Sequence, residues 1–536
     1  MTPAMDRRVV AGLIGLAAVG GLVAGGFVGL LWEGARDWSG AVAAFDAYLL
    51  WLVRFTLWQA ILSTLLSVIP AMLVARALAW HPNFPGRALI LKLFALPLAL
   101  PALVAALGVL ALYGRSGLFA DLLTAVIGER WQGIYGLSGI LVAHVFFNLP
   151  LATRLFLHAL ETVPNDQWRL AAQLGMGPIT SFRLIEWPVL RNALPGVAGL
   201  VFMLCITSFT IVLTLGGGPR ATTLEVAIYQ ALRFDFDPAR AVALTLLQIA
   251  LTAAVVAVLM RLGANMVGDA NLAITSRRPA MAGTASRIVN GLIIMIAMAF
   301  VAGPLVGTVI AGMRADLARL IAEPTVHAAA TTSIVLAFLA ALLCVILSVS
   351  LVVARRAMEL GRPRTTEPSL LERLLDTGAG FVLVVPPIVI GAGWFVLLRG
   401  TGQLFSIAPV MVVTVNAVMA MPFALRALRP AYDAASERHE RLCASLGISG
   451  VNRLRLVDWP SIRAPLFSVF AFAMALSLGD LGVIALFGSD AVQTLPYLLL
   501  GRMSSYRTAD AAGLALLLGA LCLMAMMLVD RTRKDA

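Results

Sequence analysis

Two stretches of this chain carry the same residues 272 positions apart. Residues 183–188 read RLIEWP and residues 455–460 read RLVDWP. In the same register Leu174-Gly175 answers Leu446-Gly447, Arg169-Leu170 answers Arg441-Leu442, and Arg191 answers Arg463; upstream, Pro150 and Arg154 answer Pro422 and Arg426. In each copy a proline, Pro188 or Pro460, stands thirteen residues after the glycine. The chemistry such residues offer is mechanical rather than bond-making. Glycine supplies the positive φ that ends a helix or tightens a turn. Helical stretches at 166–174 and 434–446 are therefore followed by a turn and a second amphipathic segment. Proline helps to set the boundary of that segment before the next apolar run. The predicted product is a short helix–turn–helix with a rigid corner, made twice. A glycine and a proline at this distance in one loop are ordinary turn punctuation; their duplication in register lifts them above it.

Residues able to make or break bonds are scattered. Cys205, Cys344, Cys443 and Cys522 are isolated, and three of them fall in apolar runs, where a thiol is a small hydrophobe. Their spacing supports neither a disulfide framework nor a zinc site, and the five histidines are dispersed too. Lys92 and Lys534 are the only lysines and neither precedes Ser or Thr. The chain therefore has no Walker A loop, and any ATPase that drives it is another chain. An enzyme embedded in a membrane would need acids, histidines or cysteines gathered at one depth, and no such cluster is visible.

The elements that hold the paired loops follow from composition. Of 536 residues 60% are hydrophobic and 13% charged, with mean hydropathy +0.92, against about 25% charged in a soluble domain. About 20 apolar residues cross a bilayer. The excess thus predicts an all-α integral membrane protein, with spans near 9–32, 55–77, 88–112, 137–158, 193–215, 241–261, 288–312, 329–353, 377–398, 407–428, 465–486 and 509–529. That makes twelve, with both termini cytoplasmic. The first run, behind Arg7 and Arg8, is longer than the core of a secretory signal and reads as a retained helix. The net charge of +12 invites a nucleic-acid reading. The Lys and Arg lie in short loops instead, in excess around 355–373, 426–463 and 531–534, as inner loops require. The repeat divides the chain into a six-span half over 1–265, a polar cytoplasmic linker over 266–287 and a second six-span half over 288–536. The copies are parallel, because an even span count returns each to the same side.

The doubled loop resembles the EAA loop of ABC-importer permeases, in which an EAA-x-x-L-G core is followed by a proline at this spacing. The resemblance implies a type I importer permease fold in the bacterial inner membrane. It also implies coupling residues Arg169, Leu170, Ala171, Leu174, Gly175 and Pro188 in one copy, and Arg441, Leu442, Cys443, Leu446, Gly447 and Pro460 in the other. In that family the short helix docks into a cleft on a cytoplasmic ATPase, so two copies imply an ATPase dimer. ATP is then bound by that partner and no cofactor by this chain. A periplasmic binding protein delivers the substrate. The sequence departs from the family at the acidic position, where Arg169 and Arg441 stand; this predicts reversed polarity, with the arginines facing carboxylates on the ATPase. Within the family the chain is most similar to permeases for thiamine and thiamine pyrophosphate, through GLVFMLCITSFTIVLTLGG at 199–217 and GGPRATTLEVAIYQALRFDFDPARA at 217–241. Fused ferric-iron permeases share the two-fold plan. The polar segment 217–240 is a candidate for the outer face, where a binding protein would dock.

Polar residues inside predicted spans are the remaining candidates. Asp480, in SLGDLG at 477–482, faces the pathway of a cationic substrate such as thiamine, neutralises an arginine, or caps a helix break beside Gly479 and Gly482. Its counterpart in the repeat is Ser208. His144 and Asn416 are likewise equivalent, and with Pro150 and Pro422 they read as interhelical hydrogen bonds and hinges. These four polar residues are the candidate lining of a substrate pathway. Trp187 and Trp459 read as interface anchors. A secondary transporter of six plus six spans is the rival reading, but it would carry several ionisable residues in its core, where Asp480 stands nearly alone.

Overall fold

The computed structural model describes residues 7–43, 45–261, 283–362, 367–377, 385–404, 406–448, 450–489 and 492–534. Most of the linker predicted at 266–287, up to residue 282, lies outside them. Regular structure among the described residues is helical, with one isolated bridge between Ser489 and Val492. That is the expected outcome for apolar runs in lipid, where a helix satisfies every backbone N–H and C=O within its own segment.

The first half supplies α1 (Arg7–Arg36), α2 (Ala47–Trp80), α3 (Arg87–Ala99), α4 (Ala102–Tyr113) and α5 (Leu137–Glu161). It continues with α6 (Asn165–Gln173), α7 (Trp187–Ile206), α8 (Phe209–Leu215), α9 (Leu224–Arg233) and α10 (Pro238–Arg261). The second half supplies α11 (Thr284–Met313), α12 (Pro324–Gly361), α13 (Pro387–Arg399), α14 (Ala408–Ser445), α15 (Trp459–Gly479), α16 (Gly482–Phe487), α17 (Leu495–Ser504) and α18 (Thr508–Lys534). Among the described residues ten helices are long and apolar enough to cross a membrane, and eleven if the bent pair α3 and α4 counts as one span. That pair fills the predicted span 88–112 but turns through 112°. Leu100 is extended and Pro101, lacking an N–H, starts a new helix. The span predicted at 377–398 corresponds to the shorter apolar helix α13; residues 378–384 before it are outside the described set.

The chain packs as two compact units. Unit one holds Met1–Phe45, Ala227–Ile249 and Asp316–Ala536; unit two holds Asp46–Val226 and Ala250–Ala315. In unit one, α1 from the start of the chain lies on α12 and α13. Its glycines allow close approach: Gly12 faces Ala354, Gly26 and Gly29 face the backbone of Gly393, and Gly25 takes the ring of Trp394. Trp394 Nε1 donates to the Leu22 carbonyl at 2.8 Å, and Glu33 pairs with Arg399 at 2.6 Å. In unit two, α11 lies on α4, with Gly108 against the Pro304 backbone, and its Ile294, Ala297 and Val301 join a core with Phe94, Phe146 and Phe156. The opening helix of each sequence half thus packs with helices of the other half.

Candidate functional site

The first elbow is built as the glycine requires. Helix α6 ends at Leu174, Gly175 takes a φ of 62°, the Met176 N–H donates to the Ala171 carbonyl at 3.0 Å and the Gly175 N–H to Ala172 at 3.1 Å. These are the two bonds of a Schellman cap. The second elbow repeats the pattern, with Gly447 at φ 65° and Ile448 N–H donating to Cys443 at 2.9 Å. Among the described residues no side-chain or backbone atom would obstruct a Cβ on either glycine, and the left-handed φ itself demands glycine there. Ala171 and Cys443 point inward and are buried. Arg169, Leu170 and Leu174 are exposed in the first elbow, and Arg441, Leu442 and Leu446 in the second. Each elbow therefore presents two leucines one turn apart beside an arginine. Arg169 has a loose neighbour in Asp166 at 3.7 Å.

Two expectations about the elbows are corrected. Pro188 and Pro460 do not mark a boundary before the next span. One-turn helices at Pro178–Ser181 and Gly450–Arg453 lead through π turns at Phe182–Glu186 and Leu454–Asp458 directly into α7 and α15. The proline ring would collide with the carbonyl four residues back. The wider turn, in which Trp187 N–H donates to Phe182, relieves that collision at the same place in both copies. Second, the corner follows a separate short helix in one copy only. Thr162–Pro164 break the chain between α5 and α6, whereas α14 runs without interruption from Ala408 to Ser445. Ser436 stands where the first copy has Pro164, and it keeps the N–H that proline lacks.

Each elbow is braced differently. In the first, the end of α2 does the work. Trp80 packs edge-on against the buried Trp168 of α6 at 6.3 Å. Glu186, fully buried at the end of the π turn, accepts from Arg76 Nε and Trp80 Nε1, both at 2.6 Å. The Arg76 guanidinium also lies 5.2 Å from the Phe182 ring centre. In the second, Glu440 replaces Trp168 and Arg453 replaces Ser181, and the two form a bidentate pair at 2.9 and 2.5 Å. Arg453 reaches Asp458, the counterpart of Glu186, at 3.6 Å. Arg355 and Arg356 of α12 hold α14 through Asp433 at 2.5 Å and Ser436 at 3.2 Å. The fork of Arg453 on Glu440 holds its guanidinium charged well above the ordinary range of arginine. Sequence reasoning passed over Arg76, Trp80, Glu186 and Asp458. The signal available was the acid in both copies of the repeated hexapeptide.

The membrane polar residues fall into two pairs, one in each unit. His144, buried in α5, lies between Ser63 Oγ and Ser208 Oγ, each 2.8 Å from a ring nitrogen. Asn416 of α14 donates to Ser477 Oγ at 2.9 Å and lies beside Asp480. Ser208 and Asp480 mark the same event, the break between α7 and α8 and that between α15 and α16. Asp480 accepts the Gly482 N–H at 3.2 Å and the Val483 N–H at 3.4 Å, capping α16. Of the readings of Asp480, the helix cap is the contact present among the described residues. Trp187 leans on Phe182 at 6.1 Å and Trp459 on Phe467 at 6.4 Å, both exposed on their outer edges.

Comparison with known proteins follows the same two-fold layout. Residues 71–268 and 366–534 match the family model described as binding-protein-dependent transport system inner membrane component. A thiamine transport system permease protein of Brucella abortus is 57% identical over 99% of this chain and 96% of its own. The protein of that name from Escherichia coli is 42% identical over 99% of this chain and 97% of its own. Its namesake from Haemophilus influenzae is 39% identical over 89% and 87%.

Proposed function

Because the chain belongs to the family of binding-protein-dependent transport system inner membrane components, we propose that it is the permease of an importer for thiamine or its phosphate esters. It is a multi-pass inner-membrane protein and no enzyme; the family works with a binding protein and an ATPase. A periplasmic protein hands over the substrate, an ABC ATPase dimer binds and hydrolyses ATP beneath the membrane, and this chain carries the path between them. The substrate assignment is supported by near end-to-end identity with permeases named for thiamine.

The coupling assignment is supported by the paired elbows. Two capped corners expose the same Arg-Leu and Leu residues, and each is tied rigidly to a spanning helix. Force applied at Leu170 and Leu174, or at Leu442 and Leu446, therefore reaches α7 or α15 through the capped corner and the π turn that follows it. On this reading the loops at 169–188 and 441–460 are cytoplasmic, and both termini with them. With twelve spans in two halves, over 1–265 and 288–536, alternating access follows from relative motion of the halves.

The test is reconstitution. Purified chain, its ATPase and its binding protein in liposomes should hydrolyse ATP faster when thiamine is supplied outside. Uptake that persists without the ATPase, or stimulation by an unrelated solute in place of thiamine, would refute the assignment.

A further inference from the structure

The start of α2 carries a ladder of aromatic rings. Tyr48 and Trp51 stack with centroids 5.9 Å apart and 12° between planes, and Trp51 and Phe55 with 5.4 Å and 16°. The last ring of the ladder forms part of the wall of a cleft of about 390 Å³, shared with Gly216, Gly217, Gly218 and Arg220. That volume falls within the roughly 300–1,000 Å³ of small-molecule pockets.

The glycine wall is chemically specific. Gly216 is right-handed helical, with φ −61° and ψ −34°, and Gly217 is left-handed, with φ 71°. This succession turns consecutive N–H groups toward one point and makes a concavity for an anion. The Gly216 N–H is engaged by the Val212 carbonyl at 2.8 Å, while those of Gly217 and Gly218 have no acceptor among the described residues. A Cβ on Gly217 would press to 3.1 Å from that of Tyr135, and Gly218, at φ 144°, adopts a backbone that side chains rarely allow. The backbone therefore stays bare. Arg220 stands exposed at the same cleft without a carboxylate partner among the described residues. Its guanidinium is suited to bidentate contact with phosphate.

We infer that this cleft receives the phosphate end of a phosphorylated substrate, its flat heterocycle against Phe55 and its phosphate over the Gly217 and Gly218 N–H groups and Arg220, an inference that rests on the thiamine-class reading above. A free phosphate or a lipid headgroup has the same anionic chemistry but no ring to stack. The cleft would thus distinguish esters of the substrate from the free alcohol, at a point separate from the His144 and Asp480 pairs.

The test uses the assembled transporter, with permease, ATPase and binding protein in phosphatidylcholine proteoliposomes, and compares uptake of thiamine with that of thiamine diphosphate. Arg220→Gln should raise the half-saturating concentration of the diphosphate about tenfold, the loss of one charge-assisted phosphate contact, and leave that of thiamine unchanged. Phe55→Leu should weaken both. Inorganic phosphate should compete with the diphosphate alone, in wild type and not in Arg220→Gln. Unchanged preference in Arg220→Gln would overturn the inference. So would loss of the wild-type preference when phosphatidylglycerol replaces phosphatidylcholine, since a lipid headgroup would then hold the cleft. Failure of the wild type to take up either compound would instead sink the thiamine reading itself.

Discussion

Arg169 and Arg441 occupy the place where permeases with an EAA loop carry an acid, and both project from the elbows into solvent. A cation there favours carboxylates on whatever docks. Reversing both, in Arg169→Glu with Arg441→Glu, should reduce the ATPase recovered with the purified chain at least several-fold, most of all at low salt, where exposed charges are least screened. Undiminished co-purification and transport would refute the reversed polarity. A second residue-scale device lies at the end of α2. His81 Nε2 accepts from Asn290 Nδ2 of α11 at 3.2 Å, which it can do only when that nitrogen is unprotonated. Burial first, and then the charge of Arg287, hold this imidazole below its ordinary range. A depressed folded value means that the contribution to stability is complete above the unfolded pKa of about 6.5. It is lost as pH falls through the lower folded value. Melting temperature should therefore drop between neutral pH and pH 5 by more in the wild type than in His81→Gln. Equal slopes would show that His81 takes no part.

At the scale of elements, the two elbows share a corner but differ in their lever. Pro164 separates α6 from α5, so the first corner depends for its position on Trp168, Trp80 and Glu186. In the second, Ser436 lets α14 continue to the corner, and Arg453 with Glu440 ties the two arms together. Ser436→Pro transfers the break of the first elbow to the second and removes a backbone bond from a helix interior, at a local cost of about 3 kcal/mol. It should preserve ATPase docking, because Arg441, Leu442 and Leu446 stay exposed, while slowing thiamine uptake per ATP hydrolysed. Uptake coupled as tightly as in wild type would mean that a continuous α14 is immaterial. The π turns before Trp187 and Trp459 belong to the same scale. They let a proline enter a helix without breaking it, as the proposed transfer of displacement from loop to membrane requires.

At the scale of the molecule, the two sequence halves exchange their opening helices. Helix α1 reaches α12 and α13 through a face of glycines, where lipid offers no hydrophobic drive and close backbone contact supplies the attraction instead. Gly29→Leu would set a side chain against the Gly393 backbone and force α1 away, at a cost on the order of 1–3 kcal/mol. Yield and melting temperature of the detergent-purified chain should fall, whereas Gly20→Leu, where no atom of the described residues stands within 4 Å of a new Cβ, should leave both unchanged. Equal behaviour of the two variants would disprove the packing role of that face. The exchange also predicts that residues 1–265 and 288–536, made as separate chains, need each other to fold.

Apolar runs, the duplicated Leu-Gly corners and the four polar candidates His144, Ser208, Asn416 and Asp480 were legible in the linear chain; that His144 meets Ser208 and Asn416 meets Asp480 was not. Hydropathy, a glycine's backbone preference and a repeat at constant spacing are all local or periodic properties. The partners of Glu186, the bend at Leu100-Pro101, the nest at Gly216–Gly218 and the exchange of α1 and α11 were not. Thr56 and Ser333 show why. Each hydroxyl accepts the N–H that opens an inner helix, from Leu224 at 3.1 Å and from Leu495 at 2.7 Å. The two copies of this contact do not keep the 272-residue spacing. Sequence alone determined which segments become helices and where the Leu-Gly corners fall, because those choices are made within a few residues. Which helix lies against which was decided only in the tertiary structure, because close packing depends on the shapes of surfaces that are distant along the chain.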